Sequence, residues 1–121
     1  MSDNYSSQGT TTIAPDVLLT IAQLTTLNVS GVSRMSHAPG GGVNMLLKRG
    51  LAREGVQIEI VDDVVYADLY VVLKNDFNVR EVSQNIQRDV ARAISEMVGM
   101  QVGRVNVHIE DIDYPLEIAE A

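Results

Sequence analysis

The spacing of apolar residues predicts a helix near the start of the chain. Pro15 suits the first turn of a helix, where its missing N–H costs no hydrogen bond, and the acidic Asp16 follows it at the positive end of the helix dipole. Apolar residues then recur at helical spacing over about three turns. They are Val17, Leu18, Ile21, Leu24 and Leu27. We expect this face of the helix to pack against a core.

A β-hairpin is predicted in the middle of the chain. Residues 56–60 alternate strictly between apolar and polar side chains, Asp62 and Asp63 are typical turn residues, and a long β-branched run follows over residues 64–73. One face of this second arm is wholly apolar. It consists of Val65, Ala67, Leu69, Val71 and Leu73.

The opposite face of the second arm is mixed. It carries Val64, Tyr66, Asp68, Tyr70 and Val72. This face is too apolar to be left fully in water, so we expect a neighbouring element or another subunit to cover part of it. Val64, Tyr66, Tyr70 and Val72, together with edge strands, are therefore candidates for an interaction surface.

A second helix and a last strand complete the pattern. Asn78 with Glu81 three residues later resembles a capping box, and Gly99 suits the end of the helix. The predicted apolar stripe between them is Val79, Val82, Ile86, Val90, Ala93 and Met97. In the strand, Val102, Val105, Val107 and Ile109 are predicted to face the core, with Arg104, Asn106, His108 and Glu110 facing outward.

The rest of the chain carries weaker signals. We predict a disordered leader over residues 1–9, short strands over 10–13 and 32–36, a glycine loop ending at 40–42 and a helical turn over 43–48. Residues 10–112 then form one domain, followed by an acidic tail over 113–121. The order of elements predicts an α+β fold, a two-layer sandwich with two main helices on one face of a mixed sheet of three to five strands.

Composition excludes several classes of function. The chain of 121 residues has no Cys, so thiol chemistry, disulfides and thiolate metal sites are impossible. No apolar run is long enough to span a bilayer, and the N-terminus lacks a signal-peptide pattern, which predicts a cytoplasmic protein. A net charge of -7 and an aromatic content of 4% make nucleic acid an unlikely partner.

Candidate sites are few. The glycines at 40–42 lack the Lys-Ser/Thr of a phosphate-binding loop and the spacing of an RNA-binding loop. His37 and His108 have no local carboxylate or hydroxyl partner in the sequence, and Asp62 and Asp63 fit a turn. We predict no catalytic residue, no cofactor and no metal site. One small basic cluster is the first place to look for an anionic partner. It consists of Lys48, Arg49 and Arg53.

The order and spacing of several short sequence segments resemble those of the alkaline shock protein family, whose members are also described as envelope stress response proteins. The resemblance extends over about residues 12–111. It is carried by 13–17 (IAPDV), 31–35 (GVSRM), 55–60 (GVQIEI), 67–72 (ADLYVV), 82–97 and 105–109 (VNVHI). The stretch at 38–42 (APGGG) departs from the family pattern, which leaves any partner contact there undefined.

The resemblance implies a bacterial protein of alkaline or envelope stress that associates with itself. It also implies a position near the membrane through a separate anchoring protein, without direct insertion. Another branch of the family is tied to fatty-acid synthesis and acetyl-CoA carboxylase. We therefore expect a non-catalytic, homo-oligomeric interaction or scaffold module, with a regulatory module for a metabolic enzyme or a nucleic acid as the alternative, and an enzyme ranked last.

Overall fold

The computed structural model describes residues 9–37, 45–46 and 50–114. The predicted leader up to residue 8, the glycine loop, Lys48, Arg49 and the tail from residue 115 lie outside the described residues. Two helices and six strands make up the described part. They are α1 (Pro15–Leu27), β1 (Val32–Met35), β2 (Met45–Leu46), β3 (Gly50–Arg53), β4 (Val56–Val61), β5 (Val64–Lys74), α2 (Val79–Ala93) and β6 (Gln101–Asp113), with a π-helical turn, Ile94–Val98, between α2 and β6.

The sheet is assembled on β5. On one side β6 runs parallel to it along its whole length, from the pair Val64 and Gln101 to the pair Lys74 and Asp113. On the other side β4 pairs antiparallel with residues 64–69, and β1 pairs antiparallel with residues 71–73. β3 and β2 continue the sheet beyond β4, each antiparallel to its neighbour. β1 and β4 therefore share one side of β5, end to end.

Gly55 lies where the end of β1 meets the start of β4. The Tyr70 N–H donates to the Gly55 carbonyl at 2.8 Å, and the Tyr70 carbonyl accepts from the Ser36 N–H at 2.8 Å. Gly55 has φ +80, and a Cβ placed on it would lie 2.5 Å from the Ser36 carbonyl oxygen and 3.0 Å from that of Tyr70. Only glycine suits a left-handed conformation this close to two backbone carbonyls.

The core lies between the sheet and both helices. The predicted apolar face of β5, Val65 to Leu73 at alternate positions, is fully buried. It packs in one cluster with Leu18 and Leu19 of α1 and with Ile86 of α2. Since side chains of both helices share one core cluster with this face of β5, the predicted two-layer α+β sandwich with a mixed sheet is confirmed. The sheet has six strands where three to five were expected, because the two-residue β2 extends it by one strand.

The first helix has the predicted bounds and part of the predicted core face, since Leu18 is buried and Ile21 packs against the core. Its buried side chains are Leu18, Leu19, Ala22 and Thr26. Val17, Leu24 and Leu27, which were expected in the core, are exposed, Leu24 to 56%. The helix has apolar residues on two sides, so periodicity alone selected three exposed positions and missed the buried Leu19 and Ala22. The Thr26 hydroxyl tolerates burial because it donates to the Ala22 carbonyl at 2.7 Å.

The second helix begins as predicted. The Asn78 side-chain oxygen accepts a hydrogen bond from the Glu81 N–H at 2.9 Å, and Gly99 ends the helical segment in a left-handed conformation. The buried stripe continues from Val90 to Ile94, whereas the predicted Met97 is 70% exposed. Val79, the first residue of the predicted stripe, is also exposed.

Two of the weaker predictions are wrong. Residues 10–13 form no strand and are exposed, because no neighbouring strand is present to receive their hydrogen bonds within the described part of the chain. The predicted helical turn at 43–48 contains β2 instead, which pairs Met45 with Ala52 and Leu46 with Leu51. Tertiary pairing with β3 outweighs the local helical pattern there.

We predict that Gly55→Ala destabilises the fold far more than Gly99→Ala. Both glycines have positive φ, but a Cβ at Gly99 would meet nothing within 4 Å. The Gly99 variant should lose about 1–2 kcal/mol from the left-handed conformation alone. The Gly55 variant should lose roughly 3 kcal/mol or more, because two backbone carbonyls must also move. Urea unfolding measures both, and equal losses would contradict the close packing at this junction.

Candidate functional site

The sheet face away from α1 and α2, here called the outer face, carries a row of polar and aromatic side chains. The parallel register of β5 and β6 brings them side by side. The facing pairs are Tyr66 with Arg104, Asp68 with Asn106, and Tyr70 with His108. Residues far apart in the sequence thus form one continuous surface.

Asp68 is the centre of this surface. One of its oxygens, Oδ1, lies 3.1 Å from Asn106 Nδ2 and 3.0 Å from His108 Nε2. The Asn106 amide donates to this oxygen, and the His108 ring nitrogen lies within hydrogen-bond distance of the same oxygen. The two contacts tie Asp68 of β5 to two side chains of β6.

The Tyr70 ring is stacked on the His108 ring. The ring centroids are 4.4 Å apart and the planes differ by 11°. Tyr70 is only 9% exposed. This burial raises the pKa of the Tyr70 phenol, and the negative charges of Asp68 and Glu110 raise that pKa further.

A shallow groove lies beside this cluster, towards β4. The Arg104 guanidinium lies 5.4 Å from the centre of the Tyr66 ring, within the range of a cation–π contact. A Cβ at Gly103 would lie 2.6 Å from the Tyr66 ring, so the ring packs directly on the β6 backbone. The residues that line the groove are Glu59, Val61, Tyr66, Asp68, Arg104 and Asn106.

An ion pair crosses β5 at the other end of the outer face. Arg34 of β1 binds both carboxylate oxygens of Asp113 of β6 at 3.2 Å, and the Ser33 hydroxyl donates to Asp113 at 2.6 Å. The hydrogen bond from Arg34 is the largest cause that lowers the pKa of the Asp113 carboxyl, and the hydrogen bond from Ser33 lowers this pKa further. Arg34 is opposite Val72 of β5, so its ion pair with Asp113 spans β5 at Val72. The Val72 side chain is only 2% exposed.

The predicted interaction surface is therefore divided. Tyr70 and Val72 are covered by side chains of the same chain, so neither needs another subunit for burial. Val64 and Tyr66 remain partly exposed. The exposed part of the outer face lies nearer the start of β5 than the sequence pattern indicated.

The predicted basic cluster is described only at Arg53. Its guanidinium donates to the Thr20 hydroxyl at 2.7 Å and lies 3.8 Å from an oxygen of Asp16, both on α1. Arg53 thus holds α1 against β3. A role in binding an anion remains a prediction for Lys48 and Arg49, which lie outside the described residues.

Sequence reasoning missed the contact of Asp68 with His108. Each residue was placed on an outward face, but no local motif joins them, because they meet only through the parallel pairing of β5 with β6. His37 is exposed. Across residues 9–37, 45–46 and 50–114, no group of three or more His, Asp or Glu side chains is arranged to hold a metal ion. The contacts of the outer face hold its side chains in place.

Fold and surface together define a small α+β domain whose sheet is covered by helices on one face. A family model matches residues 3–114, and its description is that of the alkaline shock protein family with a "cell envelope-related function". The chain belongs to this family, and the resemblance to alkaline shock proteins is confirmed.

Two bacterial relatives are similar over most of their length. The uncharacterized protein YqhY of Bacillus subtilis (strain 168) is 25% identical over 112 residues, covering 93% of this chain and 83% of the relative. The uncharacterized protein Spy1535 of Streptococcus pyogenes serotype M6 is 33% identical over 105 residues, covering 86% and 79%. Neither is named for a catalytic activity.

A solved structure of the domain MamM-CTD has a similar fold. It superposes with a TM-score of 0.51 at 13% identity and covers 81% of this chain and 99% of that domain. At this identity the similarity shows a shared fold.

We predict that Asp68→Asn lowers the pKa of Tyr70. The substitution removes one of the negative charges that oppose formation of tyrosinate, while burial, the largest cause, persists. The pKa should therefore fall but stay above the ordinary value near 10. Ultraviolet titration of tyrosinate measures it, with Tyr70→Phe to identify the signal among the four tyrosines. Glu81→Gln, on α2 behind the sheet, should leave it unchanged, and an unchanged pKa in Asp68→Asn would contradict the described cluster.

Proposed function

We propose that this protein is a non-catalytic interaction module that associates with itself and acts beside the cell envelope through a partner protein. The observation that carries the proposal is the outer face of the sheet, which has an ordered polar and aromatic surface but no helix over it in the described part of the chain. Interfaces between proteins are enriched in Tyr and Arg, which this surface presents at Tyr66 and Arg104. The envelope-related description of the family supports the place of action.

The proposed partner would bring the protein to the membrane. None of the helices among the described residues is long and apolar enough to cross a bilayer. A partner that is itself anchored would supply the attachment. The net charge of -7 also opposes direct binding to anionic lipid, because such binding relies on clustered Lys and Arg.

We predict that Tyr66→Glu weakens self-association without unfolding the domain. Tyr66 is partly exposed on the outer face, so a charge there meets water in the free chain but is buried in an assembly. The dissociation constant should rise at least about tenfold, as measured by sedimentation over a range of concentrations. Met97→Glu is the matched control, because Met97 is 70% exposed and lies after α2.

Tyr70→Glu is a less suitable test, since Tyr70 is buried within the chain and the new charge would destabilise the domain itself. Self-association that is unchanged in a folded Tyr66→Glu variant would contradict a role for the outer face. Wild-type protein that stays monomeric at every concentration would contradict the proposed function as a whole.

The envelope part of the proposal predicts a partner in the membrane fraction. The tagged full chain, purified from cells after separation of membranes, should be recovered there with a membrane-anchored protein identified by mass spectrometry. The Met97→Glu variant should behave in the same way. Recovery only in the soluble fraction, with carboxylase subunits or RNA, would contradict this and favour a regulatory module.

A further inference from the structure

The outer edge of β6 is a long strand edge that is capped at one carbonyl by a side chain of α2. β6 has 13 residues and pairs with β5 on one side, while no other strand of the described ranges pairs with its second side. Such edges offer unpaired N–H and C=O groups to another chain, and proteins usually shield them. Gln87 of α2 covers one peptide group by donating to the Val105 carbonyl at 3.0 Å. We find no proline or lysine along β6 to oppose pairing.

The sequence of β6 is complementary to itself in the antiparallel direction. With Val107 placed opposite Val107 of a second copy, Arg104 faces Glu110 and Val105 faces Ile109 of that copy. Asn106 then faces His108 of the second copy. Opposite charges face each other on the outer face, and aliphatic side chains face each other on the core side, as stable cross-strand pairs require.

Neighbouring registers lose this match. A shift of one position would place core-facing side chains of one copy opposite outward-facing side chains of the other. A shift of two positions would place Arg104 opposite His108 or Ile112 instead of Glu110. Val107 is also the midpoint of β6, so this register gives the longest overlap of the two strands.

The register of β6 with β5 is consistent with residues 104–110 as the segment that pairs with a second copy. Its register with β5 is regular from Arg104 to Ile109 and shifts on either side, at Gly103 and Glu110. Arg104 and Glu110 are exposed, and neither takes part in the ion pairs of the part of the chain that the structure describes, although Arg104 contacts the Tyr66 ring. They are six positions apart on one strand, about 20 Å, so they cannot pair with each other in the same copy.

We propose that two copies of this chain associate through antiparallel pairing of their β6 strands about a twofold axis at Val107, with two ion pairs between Arg104 and Glu110. The interface is isologous, because each copy supplies the same edge, and it joins the two sheets into one. This inference rests on the proposed self-association. It adds a contact at the sheet edge to the one proposed for the outer face, which edge pairing leaves open.

Charge reversal tests the register. Arg104→Glu and Glu110→Arg should each raise the dissociation constant at least about tenfold, because each places like charges opposite each other twice. The double variant Arg104→Glu with Glu110→Arg restores both pairs and should return within about threefold of wild type. Arg88→Glu, exposed on α2, is the control and should have no effect. Sedimentation gives the constants, and circular dichroism verifies folding.

Cross-linking provides a readout that does not depend on the charge variants. Since the chain has no Cys, a single Val107→Cys substitution gives one thiol in each copy, facing its equivalent across the axis. A short bismethanethiosulfonate reagent should convert most of this variant to a covalent dimer. Met97→Cys should stay monomeric under the same conditions.

These outcomes distinguish the proposed β6 pairing from self-association in general. Weakening by the single variants, recovery in the double variant and cross-linking at Val107 support the β6 pairing. Wild-type association that persists unchanged in all charge variants, without cross-linking at Val107, overturns this interface while self-association stands. Wild-type protein that is monomeric throughout overturns both.

Discussion

Hydrogen bonding along both sides of β5 is the constraint on which the rest of the structure depends. Because β6 occupies one side completely, β1 and β4 must share the other, and their junction requires glycine at position 55. The alternate side chains of β5 then point into the helical layer, where they form the centre of the core. The same pairing fixes the outer face, since it brings Asp68 next to His108.

Much of this fold could be predicted from the sequence, because β5 and α2 have strong local patterns. Alternation identified the buried face of β5, and the Asn78 cap located the start of α2. The core face of α1 could be predicted only in part, at Leu18 and Ile21, since the helix is apolar on two sides and only contact with the sheet selects Leu19 and Ala22. β2 was also missed, because its conformation depends on pairing with β3.

The candidate site was harder to predict than the fold. The mixed face of β5 was correctly separated from the core face, but its cover was not visible in the sequence. The ring of His108 and the ion pair of Arg34 with Asp113 come from strands that are distant in the sequence, and they cover Tyr70 and Val72. The apolar character of this face therefore reflects partners within the chain as much as partners outside it.

These internal contacts clarify how the molecule would assemble. A sheet whose outer side chains are held by hydrogen bonds and ring stacking presents a preformed surface, which lowers the entropy cost of association. The edge of β6 is continuous with that surface, and Arg104 belongs to both. In the proposed dimer β6 pairs with β5 on one side and with β6 of a second copy on the other. Backbone pairing of strands would then stabilise both the fold and the dimer.

Hydrogen exchange of the β6 amides at several protein concentrations tests this claim most directly. Amides of β5 should be protected at every concentration, because both sides of that strand are paired within one chain. Outward-facing amides of β6 between Arg104 and Glu110 should gain protection as concentration rises through the dissociation constant. Exchange in this segment that is independent of concentration, in protein that does associate, would contradict assembly through β6.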